Sequence, residues 1–158
     1  RTQLTGPPRN PGRINEEWKA LGPQQGAARV REAIGYLLYG TDPAELEDRL
    51  TVLLDADTTL GMKGWKQALL TKTLCIVYPE RWLPIVTYDS GDVGKRSLAR
   101  RIWGLELPAA DRTAMTLGRL IGWSNDLLLT LAGDGFAHAE HAAAFLWWAK
   151  DAVPTPPA

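Results

Sequence analysis

Apolar residues along this chain recur every three or four positions, segment after segment. That spacing marks one face of an α-helix and not the alternation of a strand. The stretch "INEEWKALG" begins at Ile14, with Asn15 placed to cap a helix and two glutamates in its first turn, and Gly22-Pro23 ends it. In "GAARVREAIGYLLYG", Val30, Ile34, Leu37 and Leu38 share a face, and Gly40 follows as a C-cap. "TDPAELEDRLTVLLD" opens on a capping Thr41 and on Pro43 in the first turn, then lines up Leu46, Leu50, Leu53 and Leu54. Residues 65–78 predict another helix, stopped by Pro79. A short basic helix is expected over 93–104. Pro108 to Gly133 is expected to form two helices divided near Gly122 to Ser124, with Ser124 or Asn125 capping the second, and a last helix runs from Ala137 towards Pro154. "IVTY" at 85–88 is the one β-like stretch, and it is short. The pattern therefore predicts an all-α fold of about seven helices without internal repeat.

At 158 residues the chain is long enough for one domain with its own core, and 45% hydrophobic with 23% charged residues is globular composition. Residues 1–13 and 154–158 are Pro-rich and read as linkers around an internal domain over 14–153. No apolar run reaches the roughly 18 residues of a membrane span, and no signal peptide is evident. With Cys75 alone there is no internal disulfide and no cysteine-based zinc site, which points to a buried packing role and to the cytoplasm.

Global charge is zero, but its distribution is not. Residues 61–104 hold eight Lys/Arg against three acids, a net of +5, whereas residues 41–57 hold six acids against Arg49, a net of −5. The basic segment begins with "GMKGWKQ". A Gly-x-x-Gly turn ahead of a helix frees backbone N–H groups, and those groups with the helix dipole favour a phosphate. Lys63 and Lys66 would add charge, with Lys72 added if it faces the same way. This is the arrangement of a helix-hairpin-helix, which grips nucleic-acid backbone without reading bases. The competing reading is a tight turn at Gly61 and Gly64 with solvated lysines.

"GDVGKRS" fails as a P-loop, because only two residues separate its glycines and Arg96 follows Lys95. It fits a basic helix better: Arg96 and Arg100, and Ser97 and Arg101, lie four apart, with Lys95 at the entrance. That helix meets either phosphate or the acidic Glu45-Glu47-Asp48 stretch. His138 and His141 share a helical face but lack a third zinc ligand and read as surface residues. No Ser/His/Asp triad or other catalytic constellation is evident, so the chain reads as a non-enzyme without cofactor or metal. The seven tryptophans mostly fall on core faces. Trp65 and Trp82 could instead stack on a base, and Trp147 and Trp148 point about 100° apart, so that one could reach a neighbouring domain.

Four stretches, "YLLYGTDPAELEDRLTVLL", "GMKGWKQALLTKTLCIVYPERWLPIV", "GDVGKRSLARRIWGLELP" and "WSNDLLLTLAGDGFAHAEHAAAFLWWA", occur in an order that resembles the helical module upstream of the motor in bacterial McrB-type AAA+ proteins. There the corresponding patterns are LLYG, GxGxxxxTKxLAxxxPxxFLPI, GKxxL, SNDLL and FLYWL. The resemblance spans residues 36–148. Trp65 stands where a second hairpin glycine is usual, and Trp82 where Phe is common. The resemblance implies a modification-dependent restriction or anti-phage defence context, with this domain as an accessory part of an ATP- or GTP-driven DNA-processing protein.

The resulting expectation is a compact all-α domain with a helix-hairpin-helix-like element that contacts DNA backbone. The contacts would come from Lys63, Gly64, Trp65, Lys66 and Lys72 at the turn and from Lys95, Arg96, Arg100 and Arg101 on the basic helix. Other domains or subunits of a defence complex would be its further partners. The alternative is a structural docking module that binds a neighbouring domain or protein through a Trp-rich surface.

Overall fold

The computed structural model describes residues 12–40, 45–55 and 58–153. Residues 1–11 of the leader, the Thr41 and Pro43 helix start, and the Pro-rich tail lie outside the described residues, while Gly12 and Arg13 open α1. Among the described residues there are six α-helices and no strand. They are α1 (Gly12–Tyr39), α2 (Leu46–Leu54), α3 (Gln67–Val77), α4 (Lys95–Trp103), α5 (Leu117–Ala132) and α6 (Ala139–Ala152). Residues 85–88 form no strand.

α1 carries the break expected at Gly22-Pro23. Gly22 adopts φ 76° and ψ 164°, a conformation open to glycine at little cost, and the helix resumes behind it. α3 begins two residues later than the spacing predicts, at Gln67 behind Lys66. α4 ends on Gly104 in the left-handed region, φ 67°, closing the helix as a glycine C-cap does.

The division expected near Gly122 does not occur. α5 runs unbroken from Leu117 to Ala132, capped at its start by the Thr116 hydroxyl, which accepts the Arg119 N–H. The glycines there have a packing role. A Cβ on Gly122 would lie 2.6 Å from Glu47 Cγ, and one on Gly118 would run into the Glu47 carbonyl, so both let α2 lie close against α5. α5 packs on α2, α4 and α6, while α1 packs on α2. The core gathers Leu37, Leu50, Leu74, Leu98, Leu120, Leu128 and Leu146, each fully buried.

The loop between α3 and α4 is as buried as a helix face: Trp82, Leu83, Ile85 and Tyr88 are all inside. Asn125 holds it there. Its side-chain oxygen accepts the Leu83 N–H at 2.9 Å and its amide donates to the Arg81 carbonyl at 2.7 Å. Ser124 and Asn125 are therefore mid-helix residues and not caps: Ser124 donates to Ile121 of its own helix, and Asn125 satisfies a buried loop backbone that has no secondary-structure partner. Asp126 completes the clamp from outside, pairing with Arg81 at 3.0 Å, and Arg81 also reaches Glu47 on α2 at 2.9 Å.

Candidate functional site

The Gly61–Gly64 segment turns with φ of +78° and +82° at the two glycines. Its surroundings differ from those expected. Gly61 is buried against Ala33, and a Cβ on Gly64 would sit 2.9 Å from Arg13 Cβ and 3.1 Å from Ile14 Cγ1. The close approach that requires glycine at 64 is thus made by α1. The Lys63 N–H is occupied by a carboxylate of the chain itself, that of Glu17. Trp65 packs against the core. The Lys66 ammonium donates to the carbonyls of Asp55 at 2.7 Å and Leu53 at 3.3 Å, placing a cation at the C-terminal end of α2 where the helix dipole favours one. Lys72 is half-buried on α3 and already engaged. The Lys63 side chain is exposed.

The basic helix is likewise engaged. The amides of Lys95 and Arg96 donate to the Thr87 and Tyr88 carbonyls at 3.0 Å each, so the entrance of α4 is closed by backbone. Arg96 bonds the Leu107 carbonyl at 2.9 Å and Asp89 at 3.0 Å. Arg101 donates to the Lys150 carbonyl at 3.2 Å, near the C-terminal end of α6. Only Arg100 is fully at the surface, 3.8 Å from Glu106, a pair of exposed groups that contributes little. The acidic stretch pairs elsewhere than expected: Asp48 and Glu45 with Arg119, and Glu47 with Arg81.

Lys95 departs furthest from its expected role. It is fully buried, its ammonium donating to the Ile121 carbonyl at 3.3 Å and lying 5.8 Å from the centre of the Trp82 ring. Burial pushes its pKa down to about 8, against the opposing pull of Cys75 and Asp126. No phosphate can reach it without opening the core. Cys75 is buried beside it, and desolvation pushes the thiol up to about 11, which leaves it protonated and inert at neutral pH. Trp82, 1% exposed, is closed to base stacking because the repacked loop places it inside.

The nine residues expected to grip a polyanion therefore divide: Lys63, Gly64 and Lys66 line one cleft, Arg96 and Arg100 line another, and Lys95 lies in the core. One is in the core, several hold carbonyls or carboxylates of the chain, and Lys63 and Arg100 carry the exposed charge. His138 pairs with Glu80 at 3.2 Å, its ring 5.4 Å from that of His141, and no cluster of three metal-ligating side chains occurs among the described residues.

A different surface stands out on α6. Its inner face is small and apolar, with Ala139, Ala142, Ala143, Leu146 and Ala149 buried. Its outer face carries Phe145 and Trp148, three positions apart, with ring centres 5.8 Å from each other, and Phe136 lies 5.4 Å from Phe145. Trp148 is 66% exposed, whereas Trp147 packs on the core with Lys150 over its ring at 5.5 Å. The angular separation of adjacent tryptophans thus puts one of them outside. Phe145 and Phe136 were not singled out by spacing, because an apolar residue on an alanine-rich helix reads as core until its neighbours are known. Comparison with protein-family models, with curated proteins and with solved structures gives no match, and the resemblance to the McrB-type module rests on the quoted motifs.

Proposed function

We propose that this chain is a docking module that binds a protein partner through the aromatic outer face of α6. The observation that carries the reading is Trp148, two-thirds exposed on a helix whose opposite face is fully packed. Covering one such side chain is worth on the order of 2–3 kcal/mol, and tryptophan is prominent among residues that dominate interfaces. Exposed Phe145 extends the apolar surface beside it, backed by Phe136, which is half-buried against the core. In the defence context that the sequence motifs imply, the module would hold a motor or nuclease to its partner.

A second reading, contact with DNA backbone, is supported by the exposed side chains of Lys63 and Arg100. Under it the 61–66 turn and α3 would act as part of a helix-hairpin-helix-like element, with non-specific phosphate contacts.

Photocrosslinking tests the first reading. A photoreactive phenylalanine at position 148 is expected to form one stoichiometric protein adduct, and the same group at exposed Arg112 is expected to form none. Equal, diffuse labelling from both positions would defeat it.

A further inference from the structure

The cleft beside the Gly61–Gly64 turn has about 800 Å³ of volume, and among the described residues it is lined by four cations, Arg13, Arg29, Lys63 and Lys66, and by two carboxylates, Glu16 and Glu17. Among the described residues the Lys66 ammonium bonds the Leu53 and Asp55 carbonyls at the end of α2 and forms no ion pair. One of the two carboxylates sits where an incoming anion would sit. Glu17 accepts the Lys63 N–H and lies 3.9 Å from the Arg29 guanidinium. It belongs to the first part of α1, residues 12–21, which covers the turn: Arg13 and Ile14 press on Gly64. That part is joined to the rest of α1 only through the non-helical Gly22, and Trp18 folds across the joint onto Gly26.

We infer that residues 12–21 form an internal lid, in which Glu17 occupies a phosphate site built by the Lys63 amide, Arg29 and the neighbouring cations. Rotation at Gly22 lifts the lid, and a phosphate of a nucleic-acid backbone takes the place of the carboxylate. A carboxylate and a phosphate oxygen make the same charge-assisted hydrogen bond to an amide and a guanidinium. The phosphate of a polynucleotide is favoured over a free anion because three lining cations, Arg29, Lys63 and Lys66, lie outside the lid and stay behind when it lifts, which suits a backbone with several phosphates. The lid is separate from the aromatic face of α6, so either proposal can fail alone.

The test compares Glu17→Gln with Glu16→Gln in the whole chain. Both remove one negative charge from the cleft, but only the first loosens the contact with the Lys63 amide. Binding of a fluorescent 20-base-pair DNA duplex is read by anisotropy in about 50 mM NaCl. Glu17→Gln is expected to bind about tenfold more tightly than wild type and than Glu16→Gln, and adding Lys63→Glu is expected to abolish the gain. Hydrogen exchange is expected to show residues 12–21 opening in Glu17→Gln while circular dichroism stays that of the folded protein. Equal shifts in both variants would reduce the effect to net charge and overturn the lid. No binding by any variant, or pyrophosphate binding as tightly as duplex, would overturn the polynucleotide site.

Discussion

The side-chain oxygen of Asn125, in the middle of α5, accepts the N–H of Leu83 across 42 positions of sequence at a distance of 2.9 Å. With the Asn125 amide on the Arg81 carbonyl, this bond fastens the buried loop between α3 and α4 to the central helix. An apolar replacement leaves the fully buried Leu83 N–H without a partner, which costs about 1–3 kcal/mol, and the Arg81 carbonyl loses its bond as well. Asn125→Leu is therefore expected to lower stability by about 2–4 kcal/mol. Urea denaturation should show a lower midpoint with unchanged slope, and an unchanged midpoint would contradict the clamp.

Lys95 and Cys75 act on the pH dependence with opposite signs. The folded lysine titrates at about 8, below its ordinary 10.5, so between those values the unfolded chain binds more protons and stability rises with pH. The folded thiol titrates at about 11, above its ordinary 9.0, so its contribution is intact below 9.0 and is lost as pH rises towards 11. The two together predict a rise from about pH 8 to 9 that flattens beyond it. Lys95→Met should remove the rise and stabilise the protein at pH 7 by about 1–3 kcal/mol, since the cost of holding an isolated charge in the core disappears. Thermal midpoints from pH 7 to 10 check both points. A destabilised Lys95→Met protein would show that the ammonium contributes more than its burial costs.

The two glycines of α5 that face α2 are expected to differ. At Gly118 a methyl group meets the Glu47 carbonyl and the Thr51 nitrogen, the latter at 2.7 Å, and this backbone cannot move without shifting α2. At Gly122 it meets the Glu47 side chain, which can shift if its pair with Arg81 loosens. Gly118→Ala should therefore cost about 1–3 kcal/mol of strain. Gly122→Ala should stay within about 1 kcal/mol of wild type, because the helix gains what alanine offers over glycine. Equal losses in chemical denaturation would contradict this packing.

Much of the helical layout was legible in the spacing of leucines and in glycine and proline punctuation, because those signals act locally. α3, α4 and α6 lie within two residues of their expected starts or ends, and the break at Gly22 follows from its own sequence. The fate of the cations was not legible, because each is decided by a group far away in the chain: Lys66 by Asp55, Arg101 by Lys150, Lys95 by Ile121 and Trp82. "GWSND" reads as a break followed by a cap. Only the approach of α2 at Gly122 and of the 81–83 loop at Asn125 explains why α5 continues through it.

Trp148 adds nothing to the fold that its removal would expose. Trp148→Ala is expected to leave the unfolding midpoint within the change of about 0.5 kcal/mol typical of surface substitutions. Trp147→Ala should lower it by about 2 kcal/mol or more, since Trp147 packs on the core. Side-by-side thermal melts would contradict the assignment of faces if the two variants behaved alike.

Calorimetric titration of the protein captured at position 148, in about 50 and 500 mM NaCl, bears most directly on the docking role of α6. The expected result is an affinity that varies less than about threefold with salt and falls about 30-fold or more in Trp148→Ala. An affinity that collapses with salt yet is untouched by Trp148→Ala would contradict it and place the contact on the charged surface instead.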